Sequence, residues 1–270
     1  MDNHNVLIAF GLTIFAGLST GIGSAMAFFA KRTSTRFLST SLGFSAGVMI
    51  YVSLIEIFAK AKADLTAQLG MAKGYWLTVM SFFAGIFLIA IIDKLIPGID
   101  NPHEIKDIEN ADEAAAAKKF YSLYRMGLFT ALAIAIHNFP EGLATFTAAL
   151  KDVRLGIPIA IAIAIHNIPE GIAVSVPVFF ATGSKKKAFW LSFLSGMAEP
   201  VGALIGYLIL MHIPSDTACS VIFAAVGGIM VFISIDQLLP AAEKYGKHHY
   251  AVYGFVAGMI VMALSLLLFV

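Results

Sequence analysis

A ten-residue pattern of apolar and polar residues occurs twice in this sequence. Residues 133–142 read AIAIHNFPEG and residues 162–171 read AIAIHNIPEG, so nine of the ten positions are identical. On a helix, His137 and Asn138 lie four and three residues before Glu141, which places the three side chains on neighbouring faces. The second copy repeats the arrangement with its own three residues, His166, Asn167 and Glu170. The doubled motif predicts two half-sites that combine into one enclosed site at mid-depth of the fold.

The side chains of the motif are suitable ligands for a divalent transition metal ion. Imidazole nitrogen suits zinc, copper, iron and nickel, whereas carboxylate and amide oxygens suit harder ions, so the mixed set favours zinc or ferrous iron. Two histidines with two glutamates form a four-ligand site, and two asparagines with the same glutamates form a second, adjoining one. Each motif also contains a proline, Pro140 or Pro169, which frees a backbone carbonyl one turn earlier that can complete the coordination. The pattern predicts a pair of metal sites bridged by carboxylates.

Other acids lie in apolar segments outside the motif. Glu199, in the run Ala198-Glu199-Pro200, is deeply placed and can join the second metal site, next to a helix break at its proline. Its counterpart in the internal repeat described below is Thr20, so the two halves are expected to share a scaffold but not their chemistry. Three further acids lie nearer helix ends and are interpreted as solvated mouth residues or as partners of Lys60 and Lys94; they are Glu56, Asp93 and Asp236.

The elements that must position these residues are membrane-spanning helices. Of the 270 residues, 59% are hydrophobic and 13% charged, whereas a soluble domain is only about 45–50% apolar. A spanning helix needs roughly 20 mainly apolar residues. Eight segments meet this condition, namely residues 6–29, 38–59, 75–96, 122–150, 155–180, 188–211, 218–241 and 250–270. The sequence therefore predicts an all-α integral membrane protein with eight transmembrane helices, forming one transmembrane domain over residues 1–270.

Charge and cysteine content exclude several other classes. The formal net charge is +1, and phosphate binding requires a concentrated basic surface, so no nucleic acid partner is expected. Cys219 is the only cysteine, which excludes an internal disulfide and a thiolate metal cage. Lysine and arginine concentrate in the connections that lie inside if the N-terminus is outside, so both termini are expected outside. The longest connection, residues 97–121, is then a cytoplasmic loop.

An internal repeat relates the first three predicted helices to the last three. Residues 47–53 (GVMIYVS) match residues 228–234 (GIMVFIS), and residues 82–90 (FFAGIFLIA) match residues 255–263 (FVAGMIVMA). A weaker match aligns two sets of three residues, Gly17, Ser19 and Gly23 with Gly196, Ala198 and Gly202. The copies are five helices apart, so they cross the membrane in opposite directions and form an inverted repeat around helices 4 and 5. Inverted repeats are typical of secondary transporters, whose substrate site lies between the halves.

Three functions are compatible with these residues. Burying charged groups in hydrocarbon costs about 2–3 kcal/mol each on insertion scales, so a purely structural role for the motifs is disfavoured. A metal transporter accounts for the repeat and the ligands together. An intramembrane metal-dependent hydrolase is the first alternative, although the sequence contains no HExxH motif. A proton-coupled transporter of organic solutes, in which His and Glu relay protons, is the second.

The paired HNFPEG and HNIPEG motifs resemble those of the ZIP (Zrt/Irt-like) metal transporter family, in particular its ZupT-like bacterial branch. The resemblance extends over essentially the whole chain. It implies a transporter and not an enzyme, without a catalytic cofactor, that takes up zinc, and often ferrous iron, manganese, cobalt or cadmium, into the cytoplasm. It also implies a multi-pass protein of the cell (inner) membrane with periplasmic termini and a homodimeric assembly.

The resemblance further assigns roles to the motif residues. The first metal site would be formed by four of them, His137, Glu141, His166 and Glu170. The second would add Asn138, Asn167 and Glu199 to the two glutamates. The sequence departs from the family pattern in one respect, because the loop between helices 3 and 4 contains only His103 and no histidine cluster. A metal-sensing role for that loop is therefore not expected.

Overall fold

The computed structural model describes residues 3–29, 34–95, 111–151, 153–210, 216–244 and 247–267. Within these ranges the chain is almost entirely helical and contains no strand. In chain order the helices are α1 (Asn3–Phe29), α2 (Thr35–Leu69), α3 (Met71–Leu95), α4 (Ala111–Lys151), α5 (Val153–Thr182), α6 (residues 185–210), α7 (residues 216–244) and α8 (His248–Leu267). The all-α membrane class predicted from the sequence is confirmed.

Seven of these helices are long and apolar enough to span a membrane, and α4 is the one that does not meet the same condition among the described residues. The predicted span over residues 122–150 therefore stays a prediction. Helix α4 begins at Ala111, so residues 111–121, which the sequence assigned to the connection, belong to the helix. The rest of that predicted loop, including His103, lies outside the described residues.

Local sequence signals explain several helix boundaries. Ser34 and Ser184 cap α2 and α6, each accepting a hydrogen bond on its hydroxyl from the backbone amide three residues later. Gly70 separates α2 from α3 with a φ of 83°, a conformation that disfavours residues with a Cβ. Helix α6 is interrupted at Met197, so its second part begins at Ala198 and has Glu199 in the first turn. This interruption confirms the helix break predicted beside Pro200.

The inverted repeat is visible in matching irregularities of α2 and α7. Each contains one π-helical turn, Val52–Ile57 in α2 and Ile233–Leu238 in α7, and the two turns occupy aligned positions of the repeat. Ser53 and Ser234, also aligned, each donate a hydroxyl hydrogen bond to the carbonyl four residues earlier. A π turn interrupts the regular α-helical hydrogen bonds and is therefore rare. Its occurrence at the same position in both copies indicates that the two copies share one backbone structure.

The closest contacts between helices occur at equivalent positions of the repeat. A Cβ added at Gly47 would lie 2.0 Å from the carbonyl oxygen of Phe255, and one added at Gly228 would lie 1.9 Å from that of Phe82. Gly47 aligns with Gly228 and Phe255 with Phe82, so α2 packs on α8 as α7 packs on α3. The repeat predicted from short sequence matches is therefore confirmed at the level of backbone contacts.

The direction of the helices shows that the two copies are inverted. Asn167 of α5 donates a hydrogen bond to Ala16 of α1, and Ser175, further along α5, donates to Gly23, further along α1. Helices α1 and α5 are therefore parallel. Helix α6 runs parallel to α4 in the same way. Gly156 packs on the final turn of α4, so α4 and α5 run antiparallel. Helices α1 and α6 therefore run in opposite directions.

The eight helices form two units of four. Helices α1, α4, α5 and α6 pack together as the motif unit, and α2, α3, α7 and α8 pack together as the frame unit. The units meet where α5 lies against α2 and α4 against α7. At each described glycine where an added Cβ would meet a neighbouring helix, that helix belongs to the same unit. Glycine-mediated backbone interlocking thus holds each unit together and is not found at the described boundary between them.

Candidate metal centre

The polar residues singled out from the sequence lie together in the interior of the motif unit. All of them are buried, with at most 3% of any residue exposed. They are His137, Asn138 and Glu141 on α4, His166, Asn167 and Glu170 on α5, and Glu199 on α6. Both motif helices continue through their prolines, which keeps each set of three on one helix surface. Three helices of one unit thus supply the whole candidate site.

Each motif histidine pairs with the glutamate of the other helix. His137 Nε2 lies 2.8 Å from Glu170 Oε1, and His166 Nε2 lies 3.3 Å from Glu141 Oε2. The sequence spacing placed each histidine beside the glutamate of its own helix, but the antiparallel packing of α4 on α5 favours the crossed pairs. The two half-sites are therefore directly joined by hydrogen bonds between their side chains.

The asparagines extend the cluster toward α1 and α6. Asn167 Nδ2 donates to Glu199 Oε2 at 3.1 Å and to the carbonyl oxygen of Ala16 at 2.9 Å. Asn138 Nδ2 donates to the carbonyl oxygen of Ser195 at 3.4 Å. Ala16 and Ser195 occupy equivalent positions of the repeat, so both amide groups are oriented by backbone of the flanking helix. This orientation leaves the two amide oxygens free to point elsewhere.

Four buried oxygens of this cluster have no hydrogen-bond partner among the described residues. They are Oδ1 of Asn138, Oδ1 of Asn167, Oε2 of Glu170 and Oε1 of Glu199. A buried acceptor without a donor costs about 1–3 kcal/mol, so four in one cluster favour a bound cation. Oxygen acceptors beside two imidazoles form the donor set of a divalent cation of borderline softness. The cluster fits the metal class predicted from the sequence.

The side chains are not arranged as a closed coordination sphere. No three His, Cys, Asp or Glu side chains of the described chain converge as metal ligands. The two His–Glu pairs lie at hydrogen-bond distances, whereas zinc lies about 2.0–2.2 Å from each of its nitrogen and oxygen ligands. A metal ion must therefore break both hydrogen bonds and separate the paired groups to bind. The observed arrangement is the hydrogen-bonded form of the ligand set.

The glycine that ends each motif brings a flanking helix close to the site. A Cβ at Gly142 would lie 2.0 Å from the carbonyl oxygen of Glu199, and one at Gly171 would lie 2.2 Å from that of Thr20. The sequence analysis did not assign these glycines a role, although their repetition in the motif was a signal. The contacts also confirm that Thr20 and Glu199 are equivalent positions. One half of the repeat therefore has the buried hydroxyl of Thr20 where the other half has the buried carboxylate of Glu199.

The acids near the helix ends lie apart from this centre. Asp93 pairs with Arg125, with Arg125 Nη2 at 3.6 Å from Asp93 Oδ1, a partner that the sequence analysis did not consider. Asp236 is exposed and accepts a hydrogen bond from Gln237. Glu56 is exposed on α2. These acids contribute no ligand to the buried cluster.

Comparisons with known proteins agree with the chemistry of the site. Residues 99–266 match the family model described as "ZIP Zinc transporter". The chain is 62% identical over 266 residues to the zinc transporter ZupT of Lysinibacillus sphaericus, covering 98% of this chain and 99% of that protein. It is 63% identical over 270 residues to the protein of the same name from Streptococcus mutans, covering 100% of both. The ZupT of Clostridium perfringens is 60% identical over 281 residues, covering 100% of this chain and 99% of the relative.

Proposed function

The chain belongs to the ZIP zinc transporter family, and from that membership we propose that it carries zinc ions into the cytoplasm through the buried cluster of the motif unit. It is a multi-pass membrane protein and a transporter of divalent metal, not an enzyme, so the hydrolase alternative is set aside. Ferrous iron, manganese, cobalt and cadmium are proposed as further substrates, because the mixed nitrogen and oxygen ligands also suit them.

The observation that carries this proposal is the crossed pairing of two histidines and two glutamates beside unpartnered oxygens. In the first site, zinc replaces the hydrogen bonds and is held by His137, His166 and the two motif glutamates. In the second site, the same glutamates are joined by Asn138, Asn167 and Glu199. Shared glutamates let an ion pass between adjoining sites while some ligands stay bound, which lowers the cost of release.

Transport requires that the site opens to each side of the membrane in turn. We propose that the motif unit moves as a body against the frame unit. The interlocked glycine contacts lie within the units, so this motion leaves the closest backbone packing of both intact. Sliding of packed helices past one another is an established form of domain motion. Helices α1 and α6 are part of the moving body, because they pack against α4 and α5 as extensively as α4 and α5 pack against each other.

The placement of the protein in the cell follows from the charge pattern and from the family. We propose the cell (inner) membrane, with both termini on the periplasmic side and residues 97–121 on the cytoplasmic side. We also propose that two copies form a homodimer, in which each copy contains a complete site. The seven described residues of the cluster come from one chain, so neither copy needs ligands from the other.

Zinc uptake into proteoliposomes tests the function. Purified protein is reconstituted, radioactive zinc is added outside, and uptake is compared with that of protein-free liposomes. We expect saturable uptake that unlabelled zinc, ferrous iron, manganese, cobalt and cadmium reduce by competition. Uptake no faster than in protein-free liposomes, from vesicles that contain correctly folded protein, would contradict the proposal.

Replacing Glu199 by glutamine is expected to reduce bound zinc from about two ions to about one per chain, because a neutral amide is a weaker ligand than a carboxylate. The measurement is metal content by mass spectrometry after equilibrium dialysis. Thr20→Val at the equivalent position is the control and is expected to retain both ions, since the hydroxyl contributes no charge. An equal loss of bound zinc in both variants would show that disturbed packing, and not the loss of a metal ligand, causes the decrease.

A further inference from the structure

The boundary between the two units contains a polar cavity at one end of the bundle. Its volume is about 160 Å³, and it is lined by residues of both units. The frame unit contributes Asp93 of α3 and Asp236 and Lys244 of α7, and the motif unit contributes Ser122 and Arg125 of α4. Apolar side chains close its inner wall, where Met126 and Phe129 of α4 are buried. The two units therefore meet here across charged groups and not across packed glycines.

Arg125 reaches from α4 across this boundary to the last turn of α3. Its Nη2 donates to the backbone carbonyl of Asp93 at 3.2 Å and lies 3.6 Å from the carboxylate of the same residue. The last carbonyls of a helix have no partner within the helix, and a cation is favoured at that end. Arg125 therefore makes two favourable contacts at once. The side chains are partly shielded, with 34% of Arg125 and 25% of Asp93 exposed.

We propose that Arg125 and Asp93 form a latch that holds the motif unit against the frame unit in this conformation and must open in every transport cycle. The inference rests on the proposed motion of the two units. It assigns a role in transport to two residues that do not touch the metal centre.

The latch is mechanically coupled to the site through one helix. Arg125 and His137 lie on the same uninterrupted helix α4, roughly 18 Å apart at about 1.5 Å per residue. Displacement of His137 relative to α3 thus carries Arg125 away from Asp93. A contact that exists in one conformation only shifts the population toward that conformation by its own free energy. The latch therefore favours the state with the open cavity.

The repeat conserves the arginine of the latch but not its acid. Arg125 aligns with Arg154, since the sequences RMGLFTALAIAIHN and RLGIPIAIAIAIHN begin at these residues. Extending the match of residues 82–90 with 255–263 places Leu266 at the position of Asp93. The arginine is thus repeated and the acid is not. An acid at this position in one half only makes the contact specific to one of the two end states, so it gives the cycle a preferred resting state.

A distance measurement between the units tests the latch. Spin labels are attached to cysteines at the exposed positions Trp190 on α6 and Tyr253 on α8, with Cys219→Ser to remove the native thiol, and the distance distribution is recorded in lipid nanodiscs. Arg125→Gln and Asp93→Asn are each expected to raise the ratio of the second conformation to the first by about three- to tenfold, the factor expected of a partly shielded, hydrogen-bonded ion pair.

Three further variants distinguish a latch from a general charge effect. The double variant Arg125→Gln/Asp93→Asn is expected to shift the ratio no further than Arg125→Gln alone, because Arg125→Gln already removes both contacts with Asp93. The charge reversal Arg125→Asp/Asp93→Arg is expected to restore much of the original ratio. Lys94→Gln, which removes a charge from an exposed neighbour of Asp93, is expected to leave it unchanged.

The result that overturns the latch is an unchanged distance distribution in Arg125→Gln, or an equal shift in Lys94→Gln. Zinc uptake by the intact chain is measured in parallel. Uptake without a change in the distribution would overturn the latch and leave the proposed function standing. A shift in a protein that carries no zinc would leave the latch standing and overturn the proposed function.

Discussion

Replacing Glu141 or Glu170 by glutamine is expected to lower zinc uptake roughly 100-fold or more, the largest effect of any single change in the motif unit. Each glutamate belongs to both proposed metal sites, so its loss weakens both at once. Glutamine has nearly the same shape but no charge, so the ion would be held in a buried site by fewer negative ligands. The variants should therefore bind less than one zinc ion where the intact chain binds about two.

The measurement combines radioactive zinc uptake in proteoliposomes with zinc content by mass spectrometry. Glu243→Gln is the matched control. Glu243 also lies 2.8 Å from a histidine nitrogen, Nδ1 of His248, but this pair is exposed at the end of α7. The same chemical change is thus made in a similar His–Glu pair outside the site, and uptake is expected to stay near that of the intact chain. Retention of more than half the uptake in Glu141→Gln and Glu170→Gln would contradict the proposed site.

The second large effect is expected from Gly228→Ala in the frame unit. An added Cβ would lie 1.9 Å from the carbonyl oxygen of Phe82, far inside ordinary contact, so α3 and α7 must move apart. Helices in a membrane associate mainly through such close packing. We expect a loss of roughly 3 kcal/mol in stability and a decrease of roughly 5–10 °C in Tm. Gly47→Ala, which meets the carbonyl oxygen of Phe255 at 2.0 Å, is expected to behave alike.

Thermal unfolding followed by circular dichroism in detergent micelles measures this effect. Gly11→Ala is the control, because an added Cβ there meets nothing within 4 Å. In a helix, alanine is favoured over glycine by up to about 1 kcal/mol, so this variant should be equally or more stable. A similar decrease in Tm for both variants would show that the close α3–α7 contact is not responsible. The same experiment tests the repeat, since Gly228 and Gly47 are equivalent positions.

The sequence was sufficient for the parts of the fold that depend on local patterns. Long apolar segments predicted the helices, and the residue types in the two motifs predicted a cluster of metal ligands. The break in α6 just before Glu199 followed from Pro200, which cannot donate a backbone hydrogen bond. The inverted repeat was also predictable, because glycines that must pack against backbone tolerate no larger residue and stay recognisable in both copies.

Relations between helices were not predictable from the same patterns. Spacing along one helix placed His137 near Glu141 without fixing its partner, whereas the structure pairs it with Glu170 of the neighbouring helix. Proximity in sequence suggested Lys94 as the partner of Asp93, whereas Arg125, on the next helix, makes the contact. The division into motif and frame units was not predicted either. The same apolar residue types face lipid and neighbouring helices, so the sequence does not show which helices pack together.

The sequence by itself determined the class of this protein, the residues of the buried polar cluster and the existence of two inverted halves. These depend on which residues are present and how they are spaced on a helix. Only the tertiary structure decided which carboxylate meets which imidazole, which helices pack as one unit, and where charges join the two units. Such pairings arise from the antiparallel packing of helices that are distant in sequence, and this packing is set by close backbone contacts such as that of Gly171 with Thr20.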